Sequence, residues 1–176
     1  MEQAIFGGGC FWCMEPVFRA LPGVETVQAG YCGGHLAAPT YEQVCRQDTG
    51  HVECVRIGFD AGLVSYRTLC DVFFGTHDPT TLDRQGHDVG PQYASVIFYL
   101  GEDQHIRAMD ARRAAQAAFE APICTRIEPA GIFWPAEAYH QEYYRHNPDQ
   151  GYCQFVIAPK MAKFRKRFAA LLRDAG

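Results

Sequence analysis

The sequence contains no apolar run approaching the roughly 18–20 residues of a membrane-spanning helix. It also lacks a surplus of basic charge: 16 Lys and Arg stand against 20 Asp and Glu, for a net charge of −4. That balance argues against a general nucleic-acid binder, which presents a basic face. The first residues, Met1-Glu2-Gln3-Ala4, lack the basic-then-apolar order of a secretory signal. A monomeric cytoplasmic protein with neither membrane nor nucleic-acid partner is expected. Linkers, internal repeats and low-complexity tracts are also missing, so residues 1–176 are read as one domain. Seven histidines are present, but none pairs with another at metal-ligand spacing, and no metal or other cofactor is expected.

What is present is cysteine: Cys10, Cys13, Cys32, Cys45, Cys54, Cys70, Cys124 and Cys153. A secreted mini-protein would use such a set as a disulfide framework, but this chain is long enough for a real core. Cys54 in Val52-Glu53-Cys54-Val55 and Cys70 in Leu69-Cys70-Asp71-Val72 sit in apolar patterns, where cysteine packs as a small hydrophobe. The chemistry belongs to fewer thiols.

Periodicity predicts strands over 2–7, Val24–Tyr31, Val52–Phe59, Ser95–Leu100 and Arg126–Ala130. Helices are predicted from Cys10, over 65–76, Glu102–Ala121, Ala136–Arg145 and Ala158–Leu172, the last with an apolar stripe of Met161, Phe164, Phe168 and Leu171. Interleaving of this kind gives an α/β (α+β) fold, a mixed sheet covered by helices, taken as a two-layer ferredoxin-like sandwich. The connections at 33–51 and 77–92 exceed ordinary loop length, which marks them as candidates for function.

Gly7-Gly8-Gly9-Cys10-Phe11-Trp12-Cys13 is the most informative segment. A helix starting at Cys10 would aim free N–H groups and its positive dipole end at the sulfur, favouring the nucleophilic thiolate. Cys13, one turn on, would be close enough in principle for a disulfide. The same two cysteines could be half of a zinc site, for which no second pair is found, or simple packing beside Phe11 and Trp12, or a thioredoxin-like redox motif. Glu53, in an alternating strand, could equally face solvent.

Gly9-Cys10-Phe11-Trp12 resembles the active-site signature of the A-type peptide methionine sulfoxide reductases. The resemblance continues in order through Gly30-Tyr31-Cys32-Gly33-Gly34, Pro39-Thr40-Tyr41, Thr49-Gly50-His51-Val52-Glu53 and His77-Asp78-Pro79-Thr80. It extends through Arg84-Gln85-Gly86-His87-Asp88-Val89-Gly90, Gln92-Tyr93, Phe133-Trp134-Pro135-Ala136-Glu137-Ala138-Tyr139-His140-Gln141 and Gly151-Tyr152-Cys153. The sequence departs from the family at Cys13, where glycine is common, at Pro91 and Ala94, where threonine and arginine are more usual, and at Trp134, where the family has Phe or Tyr.

The resemblance implies reduction of methionine-S-sulfoxide, free or in oxidised proteins, with Cys10 as nucleophile and Glu53 as proton donor. It assigns Tyr41 and Tyr93 to hydrogen-bond the sulfoxide oxygen and Asp88 to act through water. Phe11 and Trp12 suit the substrate's methyl group, since sulfur and its methyl pack well on aromatic rings. Cys10 would become a sulfenic acid, condense with a second thiol, and be recycled by an external dithiol such as thioredoxin. The resolving thiol is Cys153, on a segment from about residue 147 read as mobile and leading into the terminal helix, or else Cys13. No cysteine follows Cys153, so a further recycling thiol in the tail is not expected. A general thiol–disulfide oxidoreductase and a non-catalytic redox sensor remain the competing readings; neither needs Glu53 or the tyrosines.

Overall fold

The computed structural model describes residues 1–173. In chain order the elements are β1 (Glu2–Gly8), α1 (Phe11–Arg19), β2 (Val24–Cys32), α2 (Tyr41–Cys45), β3 (Val52–Phe59), α3 (Tyr66–Gly75), β4 (Arg84–Gln85), β5 (Asp88–Val89) and β6 (Ser95–Tyr99). They continue with α4 (Glu102–Ala115), β7 (Arg126–Pro129), β8 (Trp134–Pro135), α5 (Tyr143–His146), α6 (Ala158–Arg167) and α7 (Ala169–Arg173).

The main sheet has the order β7-β6-β1-β3-β2-β8. Its four central strands, β6, β1, β3 and β2, run antiparallel to one another, and α1 and α3 provide the two crossovers. This is the ferredoxin-like arrangement expected from the sequence, extended by β7, parallel to β6, on one edge and by β8 on the other. Alternate residues serve two faces. Phe6, Val55, Ile57 and Ile97 join the large core shared with the helices. Ile5, Cys54, Val96 and Phe98 join a smaller cluster capped by Phe133. The Phe6 ring stacks on Phe18 of α1 at 5.4 Å and Phe73 of α3 at 5.0 Å, so one β1 side chain ties both helices to the sheet. Burying each such ring contributes about 1.5–3 kcal/mol.

Three predicted helices differ in the structure. The one expected over Glu102–Ala121 ends at Ala115 and closes in a 3-10 turn, Gln116–Ala118. In place of a helix over Ala136–Arg145 there is a 3-10 turn, Ala138–His140, followed by the short α5. Side-chain hydrogen bonds to distant backbone override the local preference there. Gln141 accepts from the Ala29 N–H at 2.9 Å and donates to the Ala29 carbonyl at 3.0 Å, clamping this segment to β2. The terminal helix breaks at Phe168 and is preceded by a π-helical turn, Cys153–Ile157. Its Met161 and Phe164 dock into the core as the apolar stripe predicts.

The two long connections carry small elements that periodicity did not reveal. Within 33–51, α2 starts with a reciprocal capping box between Thr40 and Gln43. Within 77–92, β4 and β5 form a two-stranded hairpin. Both connections are anchored by histidines. His51 accepts from the Gly34 N–H at 3.1 Å and lies 2.7 Å from the Leu36 carbonyl oxygen, while His77 bridges the Phe73 carbonyl and the Ser95 hydroxyl.

Candidate active site

Strand β1 delivers the chain into the site through Gly9, whose φ of +100° suits glycine, and whose added Cβ would lie 2.8 Å from the Gln85 side chain. Cys10 follows in extended conformation as the N-cap of α1, and the Cys13 N–H donates back to the Cys10 carbonyl at 3.0 Å. The two thiols are therefore one helical turn apart.

Burial pushes the Cys10 thiol well above its ordinary value, helped by the Cys13 hydrogen bond and the nearby Glu53 carboxyl; the Trp12 N–H opposes this. The helix N-terminus expected to favour a Cys10 thiolate is present, but desolvation outweighs it in the substrate-free protein. Cys13 goes the other way, to about 7, because the Cys10 thiol donates to it, with further help from the Lys160 ammonium and the Tyr152 hydroxyl.

Glu53 does not face solvent. It lies on the β3 face shared with Val55 and Ile57, is 1% exposed, and its Oε1 accepts the Phe11 N–H at 3.2 Å. Oε2 is buried with no partner among the described residues. Burial, stronger than the Phe11 hydrogen bond that opposes it, raises the carboxyl to about 8, so it holds its proton at neutral pH.

Tyr41 and Tyr93 are half-buried phenols whose ionisation is pushed up by desolvation and by Glu53, which keeps both as hydroxyl donors. Tyr41 opens α2, where its N–H donates to Glu137 Oε2 at 2.9 Å; Glu137 Oε1 accepts from the Tyr31 hydroxyl at the same distance. Tyr93 closes the 3-10 turn Pro91–Tyr93 that leads into β6. Asp88, on β5, accepts from the Tyr152 hydroxyl at 2.7 Å, and that hydroxyl also lies 3.2 Å from Cys13 Sγ. A polar chain thus runs from Cys13 through Tyr152 to Asp88.

The two aromatic residues after Cys10 have different fates. Phe11 is fully enclosed, against Tyr31 and His140, and presents no free face. Trp12 stays half-buried, with its Nε1–H donating to His140 Nδ1 at 2.9 Å and one face stacked on Tyr143 at 3.7 Å. Cys153 is 0% exposed, packed in the π-helical turn below the site, in place of the mobile position expected of it. Local composition around Gly151 suggested mobility; the apolar side of the turn, with Ile157, draws it into the core.

Two site residues went unassigned in the sequence, Tyr152 and Lys160. Tyr152 stands in the quoted Gly-Tyr-Cys motif, yet its contact with Asp88 spans 64 positions. Lys160 offers no signal beyond membership of a basic helix.

A family model described as peptide methionine sulfoxide reductase matches residues 2–172. The chain is 58% identical to a Chromobacterium violaceum protein named peptide methionine sulfoxide reductase MsrA, over 99% of this chain and all of that one. Among solved structures it is similar to methionine sulfoxide reductase A of Corynebacterium diphtheriae, with TM-score 0.79 and 36% identity over 88% of this chain and 78% of the other. It is also similar to Mxr1 from Saccharomyces cerevisiae in reduced form, with TM-score 0.82 and 31% identity over 86% of this chain and 88% of the other. Mxr1 in complex with Trx2 shares the fold at TM-score 0.57 and 22% identity, over 81% of this chain and 84% of the other.

Proposed function

The chain belongs to the peptide methionine sulfoxide reductase family, and from that premise we propose that Cys10 is the nucleophile with which it reduces methionine sulfoxide to methionine. The observation that carries this reading is the Glu53 carboxyl: buried, protonated at neutral pH, and held beside Cys10 with one oxygen free of partners. A general disulfide reductase or a redox sensor needs no such acid.

The Cys10 sulfur attacks the sulfoxide sulfur while the proton of Glu53 passes to the sulfoxide oxygen. The proton on Cys10 has an acceptor in Cys13, one helical turn away and lowered to about 7. Hydroxyls of Tyr41 and Tyr93 stabilise charge on the oxygen as its bond to sulfur weakens, with Asp88 acting through water. The bond between Cys10 and the substrate sulfur then breaks as the oxygen passes to Cys10, its electron pair staying on the methionine sulfur, and methionine departs as the thioether, reduced by two electrons. The oxygen ends as a hydroxyl on Cys10, whose sulfur is oxidised by two electrons to a sulfenic acid. Trp12 offers the aromatic edge for the substrate methyl, with Phe11 supporting from beneath.

A second thiol then displaces that hydroxyl as water. Cys13 is the thiol in reach, so the first disulfide is Cys10–Cys13; Cys153 can take part once its turn unwinds. An external dithiol, thioredoxin, returns the enzyme to its reduced form by exchange; the Mxr1–Trx2 complex is the precedent. The S epimer is the substrate, free or in oxidised proteins that are thereby repaired, and the setting is cytoplasmic. No helix of the described residues is long and apolar enough to cross a membrane. The family has no resident cofactor in this scheme.

The test is turnover of each methionine sulfoxide epimer with dithiothreitol, using Cys10→Ser as control. Reduction of the S form alone, abolished in the variant, is the expected result. Activity that survives in Cys10→Ser would remove the proposed nucleophile.

A further inference from the structure

The cavity lined by the two thiols adjoins a second, larger space. It encloses about 150 Å³, with Cys10, Cys13, Asp88 and Tyr152 in its wall. Val156 and Lys160 line this cavity and also line a neighbouring groove of about 740 Å³, formed between the C-terminal end of α3 and helix α6. Tyr41, Glu53 and Tyr93 line neither space. The cavity lined by Cys10 and Cys13 therefore borders a cation-lined groove, and the acid and the tyrosines line neither.

The charge of that groove is opposite to the charge of the whole chain. Residues 160–167 carry five cations and no acid, within a protein of net charge −4. Lys160, Lys163, Lys166 and Arg167 line the groove, and Asp78 is its one lining carboxylate. Arg167 is occupied, donating to the Gly75 carbonyl at 3.2 Å. Lys163 and Lys166 form no ion pair or hydrogen bond among the described residues. At the groove's inner end Val156 is partly exposed, and its sequence neighbour Phe155 is 81% exposed. A groove with an apolar lining residue and unpaired lysines is a surface suited to an acidic protein with an apolar centre.

We propose that this groove is the docking surface of the dithiol protein that recycles the enzyme, and that the partner meets it with an acidic rim. This rests on the reading that an external dithiol closes the cycle. The reductant is favoured over the substrate polypeptide because the groove borders the thiol cavity through Val156 and Lys160 yet carries none of Glu53, Tyr41 and Tyr93, which a sulfoxide has to reach. In the exchange, a partner thiolate attacks Cys10 Sγ of the Cys10–Cys13 disulfide, Cys10 being the half-buried residue of the pair and Cys13 the buried one. That bond breaks, and its electron pair leaves on Cys13, beside the Lys160 ammonium and the Tyr152 hydroxyl. The partner's second thiolate then attacks its own sulfur in the mixed disulfide, releasing Cys10, which takes up a proton. The partner departs as a disulfide, having supplied two electrons.

The experiment compares wild type with a Lys163→Glu, Lys166→Glu double variant, both on the exposed side of α6. Each reduces methionine-S-sulfoxide with either dithiothreitol or thioredoxin, its reductase and NADPH. The variant is expected to need about tenfold more thioredoxin for half-maximal rate, with turnover on dithiothreitol and KM for the sulfoxide unchanged. Added salt should raise the thioredoxin requirement of the wild type but not of the variant. An unchanged thioredoxin requirement in the variant overturns the docking surface. A higher KM for sulfoxide peptides under dithiothreitol, with normal thioredoxin kinetics, gives the groove to the substrate and likewise overturns it. A wild type that turns over with dithiothreitol but not with thioredoxin removes the recycling reading, and the docking surface with it.

Discussion

The backbone N–H of Phe11 donates to Oε1 of Glu53 at 3.2 Å, joining the first residue of α1 to strand β3. One amide is too little to stabilise a buried carboxylate, which would accept two or three such bonds if ionised. The bond therefore orients a neutral acid beside Cys10 and leaves Oε2 free to give its proton.

Replacing Glu53 with Gln should slow methionine formation in a single turnover by about two to three orders of magnitude, within the range of a general acid. KM should change little, because the amide keeps the Phe11 contact. With Glu53 raised to about 8, the wild-type rate should fall above that pH as the proton is lost. Rapid-quench rates across pH decide the matter: a Gln variant with the same alkaline fall would assign it to another group.

The same carboxyl affects stability. Its folded-state value of about 8 lies above the ordinary 4.5, so between those pH values the folded state holds more protons than the unfolded one. Stability from the protonated carboxyl is full below pH 4.5 and is lost as pH rises through 8. Wild type should therefore lose on the order of a few kcal/mol relative to Glu53→Gln over that interval. Urea midpoints of the two proteins at pH 5 and 8.5 measure it, and parallel behaviour would contradict the assigned burial.

Tyr41→Phe and Tyr93→Phe each remove one hydroxyl that the proposed mechanism assigns to the reacting oxygen. Each should lower the single-turnover rate by about ten- to a hundredfold, near the lower range for a donor to developing charge. An increase in KM at constant kcat would instead make them ground-state binding residues.

The two remaining thiols separate by mass spectrometry after one equivalent of sulfoxide. Cys153→Ser should still form a Cys10–Cys13 disulfide rapidly and keep its dithiothreitol turnover. Cys13→Ser should accumulate sulfenic acid, trappable with dimedone, before any Cys10–Cys153 bond appears. Equal accumulation in Cys153→Ser would make Cys153 the first resolving thiol.

Much of the framework was legible in local pattern. The apolar stretch Val52–Phe59 marked a strand with the bounds observed, and the three glycines before Cys10 announced a tight strand-to-helix turn. Both depend on interactions within a few residues, which sequence records directly. The clustering of motifs at Cys10, Tyr41, Glu53, Asp88 and Tyr93 pointed to one site because they matched a family in order.

Other features existed only after the chain had closed on itself. Alternation could not say which face of β3 was covered, so the inward turn of Glu53 was decided by α1 packing across the sheet. The helix expected after Ala136 gave way to contacts of Glu137 and Gln141 with residues about a hundred positions away. Tyr152 found Asp88, and Lys160 came to line the same cavity as Cys13, by the docking of the terminal helix. The sequence by itself determined the five longer strands and the placing of Cys10 at the junction of β1 and α1. The tertiary structure decided protonation, burial and access, because each depends on which distant groups exclude water from a side chain.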